Sequence, residues 1–215
     1  MLKGNTNEEK IYNFFISKGF NVNGACGILG NMHAESACNP INLQNSHNHK
    51  LGMSDIEYTT AVDNGKYENF INDSAGYGLC QWTYWSRKRD LYNYARTYSK
   101  SIGDLEMQLN YILKELKQYG LLDKLKNASS VYDATKIFML GYEKPANQSE
   151  SNVKVRAGYS DVYYKRYGIV KSQLENDLDV LVKKGVINSP MYWKQIATNV
   201  KYFDDFVRNV VEALK

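Results

Sequence analysis

The hydrophobic positions of the chain fall into helical stripes separated by polar turns. "TNEE" at Thr6–Glu9 has the form of a capping box, in which a hydroxyl and an acid three residues apart satisfy free backbone N–H groups. Ile11, Tyr12, Phe15 and Ile16 then share one helix face, and Gly19 closes the helix. A second helix is predicted over 23–38, with Ala25, Ile28, Leu29 and Met32 turned to a core. At about 100° per residue, Glu35 falls about 20° beyond Ile28, at the margin of that apolar stripe. Residues 39–56 are polar and read as loop. Asn64-Gly65 stands between two short runs of strand-forming residues, which predicts a β-hairpin over 57–71. The glycine-punctuated "SAGYGLCQW" turns into a helix beginning near "TYWSRK". Asp104 caps a further helix in which Leu105, Leu109, Ile112, Leu113 and Leu116 share a face. A helix over 130–144 ends at Pro145, and Tyr159, Tyr163, Tyr164 and Tyr167 mark another. The expected fold is mainly α, a helical core lobe with a small β-hairpin lobe. It occupies residues 1–170, and a short helical module follows at 171–215.

The 215 residues suffice for one sizeable core and a small second module. Hydrophobic residues make up 43% and charged residues 23%, the balance of an ordinary globular protein. The net charge of +4 is too mild and too scattered to argue for nucleic acid, though it suits an anionic polymer such as a cell wall. No window of 18 apolar residues exists, so membrane insertion is not expected. The N-terminus "MLKGNTNEEK" lacks a signal-peptide core, so action outside the host cell would need another route. Tyrosine is abundant, 18 against 7 Phe. Tyr and Trp offer a flat apolar face with a polar tip, the surface on which sugar rings stack; codon bias accounts for the same excess equally well.

Glu35 is the first chemical candidate. A carboxyl at a half-buried margin loses solvation, which favours its protonated form and suits it to give a proton to a glycosidic oxygen. On composition alone a helical Glu is usually a solvated surface residue. The neighbouring motifs change the weighting. "AES" at Ala34–Ser36, with "GYGLCQW" at Gly76–Trp82, resembles the lysozyme superfamily, and within it the phage tail lysozymes related to goose-type lysozymes and lytic transglycosylases. "GILGNMHAES", "DNGKYENFINDSAGYGLCQWTYWSRKRDLYNYA", "SIGDLEMQLNYILKEL" and "YEKPANQS" occur in the order of that family and cover most of 20–170.

The resemblance implies a lysozyme-like α+β fold and a peptidoglycan hydrolase. Such an enzyme cleaves the β-1,4 bond between N-acetylmuramic acid and N-acetylglucosamine, with Glu35 as general acid. It implies that Ser36 orients the site and that Tyr77 and Gln81 contact sugar. Tyr142 and Glu143 fall where transglycosylases carry an Ala-Tyr-Asn motif. That places them beside the substrate and leaves Glu143 either near Glu35 or capping the following turn. A second carboxylate, about 5–5.5 Å away in retaining enzymes and about 6.5–9.5 Å away in inverting ones, has candidates in Glu57, Asp63 and Asp73. Asp73 is the choice for a catalytic partner. Transglycosylases dispense with it, because the substrate's own C6 hydroxyl attacks and leaves a 1,6-anhydro end. A non-catalytic wall-binding tail component is the alternative outside enzymes. The implied partner is the glycan strand of peptidoglycan, with phage tail proteins or a holin giving access. The protein is then virion-associated or released from the host cytoplasm.

Other chemistries have weaker support. Cys26, Cys38 and Cys80 form no CxxC pair and read as small buried hydrophobes. His33, His47 and His49 show no zinc spacing, so neither a metal nor another cofactor is expected. A Cys-His peptidase or amidase has no local signature. Arg87-Lys88-Arg89 reads as a solvated helix face that could meet peptide-stem carboxylates. In the C-terminal module "KKGVINSPMYW" is similar to helical tails of clostridial-type phage wall hydrolases. Its Tyr192-Trp193 pair serves either a wall-binding surface or the module's own small core.

Overall fold

The computed structural model describes residues 2–197, 200 and 202–214. The chain divides into two compact units, Met1–Tyr163 and Tyr164–Lys215.

The first unit is built on α2 (Val22–Ser36), preceded by α1 (Asn7–Ser17). Thr6 Oγ1 accepts from Glu9 N at 3.3 Å, while the Glu9 carboxylate takes the N–H of Asn5 at 2.8 Å. Asn21 caps α2 by accepting from Gly24 N at 2.8 Å. The glycines of α2 explain why so apolar a helix is also so small in cross-section. A Cβ on Gly27 would lie 2.4 Å from Ala134 Cβ in α8 (Val131–Phe138), and one on Gly30 would lie 2.0 Å from Ser160 Oγ in α9 (Glu150–Tyr163). Both helices therefore press directly on the α2 backbone. A polar seam runs along this contact: Asn31 Nδ2 donates to Gly27 O and Thr135 O, and Thr135 Oγ1 donates to Ser160 Oγ. α2 stops abruptly after Ser36. Ala37 and Cys38 are both left-handed (φ 50° and 60°), and their N–H groups return to His33 O and Met32 O. Glu35 thus sits in the last turn of the central helix.

The β-hairpin expected at 57–71 does not form, and the described residues carry only isolated bridges, Leu43–Tyr77 and Tyr77–Trp82. After α3 (Asn45–Leu51), residues Asp55–Asp63 form α4 instead. Ser54 Oγ accepts from Glu57 N, and Glu57 Oε2 accepts from both Ser54 N and Ser54 Oγ, a complete capping box. These bonds hold the Glu57 carboxyl below its ordinary value. Asn64-Gly65 ends this helix; Asn64 has φ −87°, whereas a type I′ turn needs positive φ at both residues. The second predicted strand is a 3₁₀ turn, Glu68–Ile71.

The remaining helices of this unit are α5 (Trp85–Thr97), α6 (Leu105–Gln118) and α7 (Leu122–Lys126), besides α8 and α9. Asp104 caps α6 as expected, accepting from Met107 N at 2.8 Å. α8 passes at Met139 into a π turn, Met139–Glu143, and Lys144 is left-handed at φ 51°. Pro145 disfavours α geometry at Lys144, so the helix widens and turns instead of continuing.

In the second unit a π turn, Tyr164–Gly168, leads into α10 (Ile169–Lys183), then α11 (Pro190–Ala197) and α12 (Phe203–Ala213). Leu174, Leu178 and Leu181 pack with Phe203, Val207 and Val211 in a small core of its own. Trp193 packs against this core with its ring parallel to Phe203, centroids 6.1 Å apart, while neighbouring Tyr192 is 56% exposed.

Candidate active site

The end of α2 meets a turn that the sequence marks with glycine. Gly78 has φ +74° and Gln81 φ +46°, so "GLCQ" doubles back on itself. Gln108, fully buried in α6, clamps it by accepting from Leu79 N while donating to Pro40 O and Ile102 O. Ser36 Oγ donates to Leu79 O at 3.0 Å and Met32 O at 3.1 Å. Ser36 is therefore the tie between the helix end and the turn. Between them opens a cleft of about 850 Å³ whose lining includes Glu35, Gln44, His47, Ser74, Gln81, Tyr84, Arg87, Tyr119, Tyr142, Glu143 and Lys144.

Among the described residues, the acids of this lining are Glu35 and Glu143, and one buried guanidinium holds both. Arg156 Nη2 pairs with Glu35 Oε1, and Arg156 Nη1 pairs with Glu143 Oε2 at 2.5 Å and with Asn31 Oδ1 at 3.2 Å. The Glu35 side chain is 18% exposed and that of Glu143 only 2%. Burial pushes the Glu143 carboxyl well above its usual value, the charge of Glu35 adding to the rise, with Arg156 and Arg87 opposing it.

A second arginine is satisfied differently. Arg87 grips Glu115 with Nε at 2.9 Å and Nη2 at 2.8 Å. Glu115 also accepts from Trp82 Nε1, Tyr142 Oη and Tyr119 Oη. Burial works against the Glu115 anion, but Arg87 and these donors outweigh it and hold the carboxyl below its usual value. The guanidinium of Arg87 also lies 4.7 Å from the Tyr142 ring centroid.

The structure brings together Glu35, Gln81, Tyr142 and Glu143 of the residues the sequence pointed to, with Ser36 buried directly behind them. The Tyr142 hydroxyl is spent on Glu115. The Nε2 of Gln81 donates to Asn42 and to Gly78 O, so it braces the turn as well as lining the cleft. Tyr77 is fully buried and bonds Thr59 Oγ1 at 2.7 Å, outside the cleft lining.

Asp73 does not reach the cleft either. It is buried against Lys88 Nζ at 2.5 Å and accepts from Tyr58 Oη, Tyr67 Oη and Ala75 N. All of its acceptor capacity is used in the core, and only the next residue, Ser74, faces the cleft. Lys88, fully buried at 0% exposure, also corrects the reading of Arg87-Lys88-Arg89 as a solvated face. Of the three, only Arg89 is a surface residue, paired with Asp90.

The cysteines are buried and free, and burial pushes Cys26 and Cys38 up to about 12, which leaves no thiolate for a nucleophile. His33 Nδ1 bonds Tyr163 Oη at 2.7 Å instead of a cysteine. No group of three or more His, Cys, Asp or Glu among the described residues could hold a metal ion.

Sequence reasoning missed Arg156, Glu115 and the cleft aromatics Tyr84 and Tyr119. Arg156 left a signal: it falls in the i, i+3, i+4, i+7 series of Val153, Ala157 and Ser160, where a charge is buried and needs a partner.

A glycine-thinned central helix with an acid in its last turn, facing a polar and aromatic cleft, defines a helical domain with a candidate ligand site. Residues 6–167 match the family model for phage tail lysozyme, and the chain belongs to that family. It is similar to Morphogenesis protein 1 of Bacillus phage B103, with 28% identity over 162 residues, which cover 71% of this chain and 38% of that protein. The chain thus spans well under half the length of this relative. Family membership supports a peptidoglycan-lytic function in general. No helix among the described residues is long and apolar enough to cross a membrane.

Proposed function

We propose that the chain cleaves the β-1,4 bond between N-acetylmuramic acid and N-acetylglucosamine, with Glu35 protonating the glycosidic oxygen as general acid. One observation carries this reading: Glu35 stands in the last turn of the central helix, half-shielded in the wall of an 850 Å³ cleft. Membership of a lysozyme family accords with it. Gln81 and the exposed Tyr84 and Tyr119 supply a polar and aromatic lining suited to sugars, with the buried Tyr142 behind them. Ser36 keeps the acid and the turn in register.

A second outcome has its own support. With Asp73 committed to Lys88 and Glu143 to Arg156, the cleft offers Glu35 no free second carboxylate among the described residues. Attack by the substrate's own C6 hydroxyl, giving a 1,6-anhydro end, needs none. Delivery to the wall, by a phage tail or after a holin opens the membrane, belongs to the same proposal. So does a wall-binding part for the second unit, which the exposed Tyr192 supports and the packed Trp193 does not need.

The test is lysis of Gram-positive walls by wild type and Glu35→Gln. Loss of a general acid lowers the rate by about 10²–10⁴-fold while binding to walls persists. Lysis within a few-fold of wild type would refute the assignment.

A further inference from the structure

Arg156 carries one positive charge and faces two carboxyls. With both ionised the three groups sum to −1; with one proton bound they sum to zero. An uncompensated charge against so buried a guanidinium is disfavoured, which favours a retained proton. The geometry shows where. Glu143 Oε2 is taken by Arg156, while Oε1 is buried with no hydrogen-bond partner among the described residues. An oxygen without donors is a poor place for negative charge and an acceptable place for a proton.

We infer that Glu143 is a positioning residue acting through Arg156: the two carboxyls compete for the charge of one guanidinium, and the one that loses it holds the proton. The inference rests on the reading of Glu35 as the acid. In the resting cleft Arg156 holds both acids, Nη2 on the Glu35 carboxylate and Nη1 on Glu143 Oε2, and Glu143 is the neutral partner with its proton on Oε1. In the working state the O–H bond of Glu143 breaks, its proton leaves to solvent, and Arg156 keeps the new carboxylate and releases Glu35. Glu35, having lost its cation, takes up one proton from solvent. That proton then passes to the glycosidic oxygen as the C–O bond breaks and its electron pair goes to the departing oxygen, while water or the substrate's own C6 hydroxyl forms the new bond to the anomeric carbon and releases its proton to solvent. Glu35 is left as a carboxylate, pairs again with Arg156, and Glu143 regains a proton from solvent. The groups facing Glu143 are Glu35 on α2, Arg156 on α9, Arg87 on α5 and Cys80 on the glycine turn, with Tyr142 and Lys144 beside it on its own turn. Arg87 is neutralised by Glu115 and Cys80 is a buried thiol, so the competition runs between the two acids.

The experiment is the pH profile of kcat/KM on purified peptidoglycan. Glu143→Gln removes the competitor, leaves Arg156 on Glu35, and moves the alkaline limb down by at least about one pH unit. That is about a tenfold loss at pH 7, recovered as the pH is lowered. Arg156→Met removes the cation and moves the limb the other way. If Arg156→Met does not fold, the near-isosteric Glu143→Gln decides alone. Carbon-13 carboxyl NMR supplies a readout apart from activity: wild type shows a glutamate protonated at pH 7 that is absent from Glu143→Gln. A Glu143→Gln rate that is unchanged, or reduced equally at all pH values, overturns the inference, as does a fully ionised Glu143 at pH 7. Glu35→Gln in parallel separates the two failures. Lysis retained there overturns the assignment of Glu35 and this inference with it. Lysis lost there, with a pH-independent Glu143→Gln defect, overturns the inference alone.

Discussion

Arg87 meets one carboxylate and Arg156 meets two. Around Arg87 the charges cancel one for one, and Glu115 receives donors from Arg87, Trp82, Tyr142 and Tyr119. Around Arg156 an acid is in surplus, and both Glu143 Oε1 and Arg156 Nε lack partners among the described residues. The same residue types therefore do two jobs. A saturated pair fixes one protonation state and one geometry, which stabilises a wall of the cleft. The unsaturated group leaves one carboxyl oxygen without a donor, and on the proposal above that is the place for a proton. Asp73 with Lys88 belongs with the first kind: one acid, one cation and every acceptor used.

The largest effect is expected at Asp73. Asp73→Asn removes the counter-ion of the buried Lys88 and costs about 3 kcal/mol of stability, read from chemical denaturation. The folded fraction retains its lytic rate, because Asp73 does not line the cleft. A full loss of lysis with stability intact would return Asp73 to the chemistry.

Glu115→Gln tests the saturated arginine and costs about 2 kcal/mol at pH 7. Its pH dependence follows from the sign. Glu115 is held below 4.5 in the fold, so near that pH the unfolded chain binds more protons. Its contribution is present above about pH 4.5 and is lost as the pH falls. The variant therefore loses less stability than wild type on acidification.

Glu143 has the opposite sign. Its carboxyl is raised in the fold, so above about pH 4.5 the native state binds more protons and stability falls as pH rises. Glu143→Gln removes that slope. Thermal melts of the two variants from pH 3 to pH 8 should thus deviate from wild type in opposite directions. Parallel curves would erase the distinction between the two arginine sites. Asp104→Ala, which removes a helix cap apart from both sites, calibrates the scale at about 1 kcal/mol.

Much of the helical frame was legible because its signals are local. The caps at Thr6 and Asp104, the stripe of α2, and the margin position of Glu35 are all periodic or short-range features. The hairpin failed for a local reason that was also readable. Ser54-Asp-Ile-Glu57 is a capping box, and it outranks an Asn-Gly whose asparagine keeps negative φ. Gln81 and Glu143 could be placed at the cleft through the motifs that carry them, but their partners could not. Arg156 lies 121 residues from Glu35, and Lys88 lies 15 from Asp73 across a turn. The Arg156 pair is set by how α9 stacks on the bare backbone at Gly30, which no window of sequence contains. Asp73 looked available for the same reason: its burial is a property of Lys88, Tyr58 and Tyr67 closing over it.

The measurement that bears most directly on the account is mass spectrometry of the ends released from purified Gram-positive peptidoglycan by wild type and by Glu35→Gln. The account predicts glycan cuts between N-acetylmuramic acid and N-acetylglucosamine from wild type and none from the variant, with reducing ends for hydrolysis or 1,6-anhydro ends for the single-acid route. Intact glycan with cut peptides, or the same glycan cuts from Glu35→Gln, would contradict it.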